Sequence, residues 1–379
     1  MIQRIHVQNF KCFGDLEIIL KPLTIFTGLN GTGKSSVIQS MLLLRQSYQQ
    51  GVLMEGKLAL NGDLVHLGTG RDLFFEFAGS QREELLFELL CKDQAGKQRR
   101  ASWCCAYTEA SNVLAVSSPL SMVDEQIFHT GLFTEKFQYL QAERLGPRRF
   151  SDLNFFVKAH THLGSQGEFT AHYLQEFGDK QLHLPLEKMA HPQATSNTLR
   201  AQVEAWLGEV SPGVRINLTP NPGTDTVSLQ YSFEMGTQVS SNYRATNVGF
   251  GLTYTLPVIV ALLSAAPGAL ILLENPEAHL HPRGQTTMGR LLARAISCGI
   301  QIVVETHSDH LLNGVRVAIH DGELSPDDAQ IHFFCRKEDG FADVISPLID
   351  RDGRIDRWPA DFFDEMDKSL EALLEPRKE

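Results

Sequence analysis

At 379 residues the chain is long enough to bury a full core as one elaborated domain or two, and its 42% hydrophobic content marks a soluble globular protein. Forty-five acidic against 34 basic residues give a formal charge of −11, which disfavours a surface coated for indiscriminate DNA binding but leaves room for a local basic patch. The six cysteines (Cys12, Cys91, Cys104, Cys105, Cys298, Cys335) show no C-x-x-C spacing, so neither a zinc ribbon nor a disulfide framework is indicated and reduced thiols in a cytoplasm are expected.

The N-terminus, MIQRIHVQNFKCF, alternates polar and apolar residues without the continuous apolar core of a signal peptide, and reads as a first strand. Strands are predicted over 2–9 and 16–20, then a buried strand over 23–27 that delivers GLNGTGKSS at 28–36. An amphipathic stretch opens at Ser35, with Val37, Met41, Leu44 and Tyr48 at helical spacing. Turn-rich sequence fills 51–71, and the runs FFEF, ELLFELL and SWCCAY between 73 and 118 suggest an antiparallel sheet. YLQAERLGPRRF at 139–150 reads as a strand ending in an Arg-rich turn, and the next sixty residues as mostly helical. Strict alternation of Val227, Leu229, Tyr231 and Phe233 predicts a half-buried strand. From Gly249 onward, helices near 252–264, 285–297 and 309–319 alternate with strands at 270–274, 301–304 and 331–334, the pattern of a mostly parallel sheet covered by helices. The apolar run from Leu256 to Leu273 is broken by Pro257, Pro267 and Gly268, so no membrane span is expected.

The stretch 28–36 fits G-x-x-x-x-G-K-[ST], with Gly28, Gly33, Lys34 and Ser35 at the fixed positions. Glycines let backbone N–H groups wrap a phosphate, and the following helix adds the positive end of its dipole. The predicted contacts are Asn30, Gly31, Thr32, Gly33, Lys34, Ser35 and Ser36. Lys34 would act as a mobile point charge for the β- and γ-phosphates, and the Ser35 hydroxyl would hold Mg²⁺. ATP or GTP with Mg²⁺ is therefore the predicted cofactor. A plain glycine-rich turn is the alternative, which the flanking strand and helix weigh against.

ALILLE at 269–274 is a buried strand ending on Glu274, and a carboxylate at that end, beside a phosphate loop, is where a Mg²⁺-bound water is held in such folds. A solvated strand end is the other reading. VVETHSDH at 303–310 is a second strand with a polar end, where His307 would hydrogen-bond a γ-phosphate or the attacking water. A helix cap from Ser308 or Asp309, or a metal pair from His307 and His310, are the alternatives. His279 and His281 fit turn residues better than a metal pair.

FKCF, GLNGTGKSS, LLENPEAHLHP and ETHSDHLLN, in this order around a long insertion, resemble the ABC-type ATPases of the SMC, RecF and OLD class. AERLGPRR at 142–149, NVGFGLTYTLP at 247–257 and GRIDRWPADFFDE at 353–365 are similar to a subgroup of it. These are compact bacterial AAA ATPases, often found in antiphage defence loci, that end in a small domain of unknown function. The resemblance implies an α/β fold, a P-loop NTPase of ABC/SMC-like type: a mixed sheet covered by helices, with a long mixed β/α insertion between the Walker motifs. The core would comprise 1–70 and 245–335, the insertion 71–244, first β-rich and then helical, and the small C-terminal domain 336–379. Lys34 and Ser35 would form the first Walker motif, Glu274 would end the second and share Mg²⁺ with Ser35, and His307 would be the switch histidine. Asn247, Gly249 and Gly251 stand where the ABC signature stands, offering N–H groups to the γ-phosphate of the other subunit. ATP would thus join two copies head to tail. Most relatives of the wider class carry a second acid directly after the first, as general base for water. Here Asn275 stands there, which orients water but cannot take its proton. Glu277 or His307 would substitute, and hydrolysis is expected to be slow.

Three functions remain in view. The first is an ATPase whose ATP-driven dimer, or higher oligomer with composite ATP sites, is a sensor or scaffold in phage defence and controls a separate effector such as a nuclease. The second, favoured by Asn275, is an ATP-locked DNA clamp or assembly platform that hardly hydrolyses. The third is an OLD-like metal-dependent nuclease, for which Asp350 and Asp352 mimic the paired acids but too little chain follows His307. A nucleic-acid ligand is left open, and a cytoplasmic location is expected. Arg144, Arg148 and Arg149 read equally as a phosphate or nucleic-acid contact and as a solvated turn. Phe362, Met366 and Leu370 read as a C-terminal helix packed on the body, with Trp358 and Phe363 as candidates for facing a partner.

Overall fold

A computed structural model of the chain describes residues 1–79, 84–93, 95–117, 123–148, 151–152, 162–182 and 188–374. Among these residues the apolar runs that end in polar side chains form the middle of a six-stranded sheet. In spatial order the strands are Ala342–Ile345, Ala329–Arg336, Leu23–Gly28, Gln301–Glu305, Leu270–Glu274 and Phe137–Leu140. All run parallel except the first. Unbroken apolar sequence is what a parallel strand covered on both faces requires. Phe26, Leu270, Leu272 and Val303 enter one core, while Ile25, Ile271, Leu273, Ile302 and Val304 enter the other.

The first face is covered by the helix Lys34–Gln49 and by an antiparallel sheet in the order Phe13–Ile19, Ile2–Phe10, Glu84–Lys92, Gln98–Ala106. The hairpin predicted at the N-terminus therefore finds its partner in the apolar runs after residue 73, with Val7 opposite Phe87. The second face carries the helices Phe250–Ser264, Pro282–Ile296 and Asp309–His320. Beyond them, Val214–Asn221 and Thr226–Met235 pair as an antiparallel hairpin. Phe137–Leu140, from within the predicted insertion, closes the edge of the main sheet beside Leu270–Glu274. No helix among the described residues is long and apolar enough to cross a membrane.

Two expectations change. Among the described residues of the sixty after 150 helix is the minority, and the α-helices there are Thr170–Phe177 and Leu199–Gly208. Gly164, Gly167, Gly178 and Pro192 interrupt what looked like a helical pattern. The C-terminal helix, Glu365–Leu374, does not pack on the body. Phe362 is buried, its ring edge-on to Phe333 at 5.3 Å, but Met366 and Leu370 stay 67% and 48% exposed. Asp361 and Phe363 both take left-handed φ, 64° and 55°, so a turn separates Phe362 from the helix and the apparent helical spacing does not act as one. Trp358 is half exposed, with its ring 5.1 Å from Phe362 and the Arg316 guanidinium over it at 5.6 Å.

Candidate functional site

The strand Leu23–Gly28 feeds the loop, and the loop turns directly into the helix Lys34–Gln49. Gly33 closes it with φ 105°, and a Cβ there would overlap the Phe13 ring and the Cys12 sulfur. The FKCF segment and the loop are thus fitted to each other. Asn30 and Gly31 stand exposed at the loop tip, while Thr32 is buried and its hydroxyl donates to the Leu29 carbonyl at 2.7 Å. Lys34 is 3% exposed, and its Nζ donates to the carbonyls of Gly28 at 3.0 Å and Leu29 at 2.7 Å. Burial lowers its pKa, and the nearby Glu305 resists that shift.

Two strands end side by side at the loop, with Glu274 and Glu305 in register with each other and Glu305 in register with Phe26 of the loop strand. The Ser35 hydroxyl donates to Glu305, 2.9 Å from one carboxylate oxygen and 3.1 Å from the other. Glu274, expected to share a metal with Ser35, turns the other way. Its Oε1 accepts from the Tyr139 hydroxyl at 2.9 Å and its Oε2 from the Ala142 N–H at 3.1 Å. Sequence reasoning passed over Glu305, although VVE at 303–305 repeats the apolar-then-acid ending of LLE at 272–274. Burial raises the Glu305 pKa to about 7; Glu274 and Glu277 push the same way, and the Ser35 hydrogen bond and Lys34 push against. The donors at Ser35 are hydroxyl and carboxylate oxygens, a set that fits Mg²⁺.

The turn after Glu274 is braced from below. Arg144, 2% exposed, donates Nη1 to the carbonyls of Gln141 at 3.1 Å and Glu274 at 2.7 Å, and Nη2 to that of Asn275 at 2.6 Å. Neither predicted role, phosphate contact or solvated turn, describes it. The strand end leaves carbonyls that need a buried donor, and the guanidinium fork supplies several at once. Burial lowers its pKa to about 10, with Glu277 resisting. Arg148 is exposed, and Arg149 lies outside the described residues.

Asn275 takes a left-handed φ of 45°, which asparagine tolerates better than most residues, and donates its N–H to the Glu305 carbonyl at 2.8 Å. Glu277 is 8% exposed, its Oε1 accepts the His307 N–H at 2.9 Å, and burial raises its pKa. Ser308 caps the helix Asp309–His320 by accepting from the Leu311 N–H at 2.9 Å, which leaves the preceding His307 ring exposed. Partial burial and Lys34 both lower the His307 pKa. His307 lines a cavity of about 330 Å³ with Thr27, Gly28, Leu29 and the tail residues Asp361, Phe363 and Asp364. At the loop tip, Gly31 opens onto a larger cavity of about 870 Å³ lined by Lys11, Arg71, Arg336, Phe75, Phe77, Tyr107 and Phe341. The Phe77 and Phe341 rings meet edge-on there at 5.2 Å.

Other predicted residues stand apart. Asn247 and Gly249 are exposed at the start of the helix Phe250–Ser264, and neither lines these two cavities. Gly251 sits against the His279 carbonyl, which a Cβ would approach to 2.8 Å. The His279 ring lies 4.6 Å from that of Tyr254, and His281 Nδ1 accepts from the Arg283 N–H at 3.4 Å, so each serves its own turn. Asp350 accepts from the N–H groups of Asp352 and Arg354 within one turn. Among the described residues no cluster of three or more His, Cys, Asp or Glu is placed to hold a metal ion.

Residues 1–88 match a family model described as an AAA ATPase domain, and 135–313 one described as "AAA domain, putative AbiEii toxin, Type IV TA system". Residues 324–373 match a family described as a protein of unknown function, DUF3696. A stretch of 44 residues is 39% identical to the OLD nuclease of Thermus scotoductus, covering 12% of this chain and 8% of that protein. In fold, 92% of the chain superposes on 98% of an SMC head bound to the C-winged helix domain of ScpA, with a TM-score of 0.55 at 13% identity. An SMC head with an extended coiled coil, bound to the C-terminal domain of ScpA derived from Pyrococcus furiosus, matches over 99% of both chains with a TM-score of 0.50 at 12% identity. At such identities the likeness is one of fold, that of the SMC-head P-loop ATPases, and the mixed α/β class expected from the sequence is borne out. The AAA-family matches bear out the ABC/SMC/OLD-like resemblance carried by the motifs.

Proposed function

We propose that the chain, which matches AAA-family ATPase domain models over residues 1–88 and 135–313, binds ATP with Mg²⁺ at the loop 28–36 and, closing head to tail on a second copy, hydrolyses it slowly. The observation that carries this reading is the convergence of Lys34, Ser35, Glu305 and His307 where two parallel strands meet one helix N-terminus. Lys34 exchanges the Gly28 and Leu29 carbonyls for β- and γ-phosphate oxygens, a charge-assisted replacement for two neutral acceptors. The loop N–H groups and the helix dipole add to it. Mg²⁺, which the Ser35 hydroxyl and a strand-end carboxylate would hold, would supply positive charge against the phosphates. The aromatic cavity beyond Gly31 takes the nucleoside, with Lys11, Arg71 and Arg336 at its polar side.

His307, kept neutral at pH 7 by its lowered pKa, stands at the γ-phosphate end and can accept a proton from water. Glu277 fixes the His307 backbone, while Glu274 pairs with Glu305 across the strand ends and Asn275 donates its N–H to the Glu305 carbonyl. Exposed Asn247 and Gly249, with Gly251 just inside the helix, are presented to a partner's γ-phosphate. Turnover is slow because Asn275 cannot serve as a base. That residue also favours a second reading, an ATP-locked latch without hydrolysis. A role in antiphage defence with a separate effector rests on the toxin and nuclease descriptions of the matching relatives.

Steady-state phosphate release from ATP, with and without DNA, tests the first reading against Lys34→Ala. Turnover above that of the variant is expected. Bound ATP with no turnover would transfer the reading to the latch.

A further inference from the structure

Resting on the nucleotide reading above, we propose that Asp361 and Asp364 in the C-terminal tail set the preference between ADP and ATP by repelling the γ-phosphate. Neither residue belongs to the phosphate loop or to the strand ends beside it.

The tail is pinned at the mouth of the site. Phe362 is buried with its ring edge-on to Phe333 at 5.3 Å, and Phe333 pairs in register with Thr27 of the loop strand. Left-handed φ at Asp361, 64°, and at Phe363, 55°, turns the chain on both sides of this anchor. With Phe362 buried, Asp361, Asp364 and Glu365 line the cavity of about 330 Å³ that also takes in Gly28, Leu29 and His307. The carbonyls that hold the Lys34 ammonium belong to the same Gly28 and Leu29, and His307 marks the γ-phosphate end in the reading above. The tail therefore brings its acids to the end of the site where ATP differs from ADP.

Charge decides what they do there. Lys368 pairs with Asp361 at 2.7 Å and with Asp364 at 3.0 Å, so one ammonium answers the three carboxylates of the cavity wall and the segment stays negative. Lys34 and the loop N–H groups attract both nucleotides, whereas the added γ-phosphate is the group that meets the field of the tail. The Asp361 and Asp364 side chains are 55% and 28% exposed, so the repulsion acts through a partly aqueous path and is screened by salt. The charge can also be removed without the shape. Asparagine tolerates the left-handed φ at position 361, and its amide oxygen at position 364 can still accept the backbone N–H of residue 361, which Asp364 Oδ2 accepts at 3.0 Å.

The test is equilibrium binding of fluorescent ADP, and separately of a fluorescent, hydrolysis-resistant ATP analogue, to the full chain with Mg²⁺, at chain concentrations where light scattering shows single chains. Asp361→Asn combined with Asp364→Asn should lower the ratio of the ATP-analogue Kd to the ADP Kd about tenfold, through the ATP analogue alone. Lys368→Gln, which leaves the carboxylates unanswered, should raise that ratio severalfold. Added salt should lower the wild-type ratio and leave that of the double variant nearly unchanged. A double variant with the wild-type ratio, or one whose ratio falls because ADP binds less well, overturns the assignment. A Lys368→Gln ratio at or below that of the wild type does the same, and decides alone if the double variant fails to fold. A wild type that holds the ATP analogue but not ADP also overturns it, whereas one that binds neither sinks the nucleotide reading itself.

Discussion

The strands Leu270–Glu274 and Gln301–Glu305 have the same length, lie parallel and in register, and end on the same residue. Their ends nevertheless do different work. Glu274 meets an outer strand whose Tyr139 and Ala142 claim its oxygens, and Arg144 claims its carbonyl. Glu305 meets the loop strand and the Ser35 hydroxyl. The residue type at a strand end says that a carboxylate is available there; the next strand over decides which partners its oxygens meet.

The largest effect should come from removing the brace on the Glu274 side. Arg144→Ala strips donors from three carbonyls in a buried turn and should cost about 3–5 kcal/mol in denaturant unfolding. Arg144→Lys, which keeps charge but not the fork, should fall between. A loss under about 1 kcal/mol would mean that the Glu274 end is not held this way.

On the other side of the loop strand the polar load is carried by a titrating group. His332 is buried, with Nε2 2.7 Å from the Ile19 carbonyl and Nδ1 2.8 Å from the Ser346 hydroxyl, and burial lowers its pKa to about 4. Since the carbonyl only accepts, Nε2 carries the proton. The unfolded chain takes up a further proton near pH 6.5 and the folded one only near pH 4. The contribution is therefore complete above about pH 6.5 and is lost as pH falls toward 4, by up to about 3 kcal/mol. Denaturant midpoints at pH 7 and pH 4.5 should diverge in the wild type and less so in His332→Gln; equal slopes would contradict the shift.

Tyr139→Phe should cost about 1–2 kcal/mol in denaturant unfolding by leaving one Glu274 oxygen without its donor. An unchanged denaturant midpoint would mean that the phenol does not hold the Glu274 strand end. The smallest effect belongs to the tail: with Met366 and Leu370 largely exposed, Met366→Gln and Leu370→Gln should each shift stability by no more than about 0.5 kcal/mol. A larger loss in thermal unfolding would restore the packed helix that their spacing suggested.

What was legible in the sequence was what local pattern encodes. The loop strand and its two neighbours are unbroken apolar runs, because both faces are covered, and each ends abruptly on polar residues at the site. The glycine-lysine-serine spacing of 28–36 likewise has one ready geometry. Contacts made across the sheet were not legible. Arg144 sits in an Arg-rich, Gly-Pro turn that looks solvated until the carbonyls it serves come from a strand 130 residues away. Glu305 was overshadowed by His307 two positions on, although its strand ends just as the Glu274 strand does. In the tail, a left-handed turn at Phe363 defeats a helical period that the residue types alone support.

Two copies are expected to close on ATP held at Lys34. Light-scattering mass of the purified chain, measured with ATP and Mg²⁺, with ADP, and for Lys34→Ala with ATP, tests it directly. A mass that doubles with ATP alone, and not in the variant, is expected. ATP bound to the wild type at an unchanged single-chain mass would contradict it.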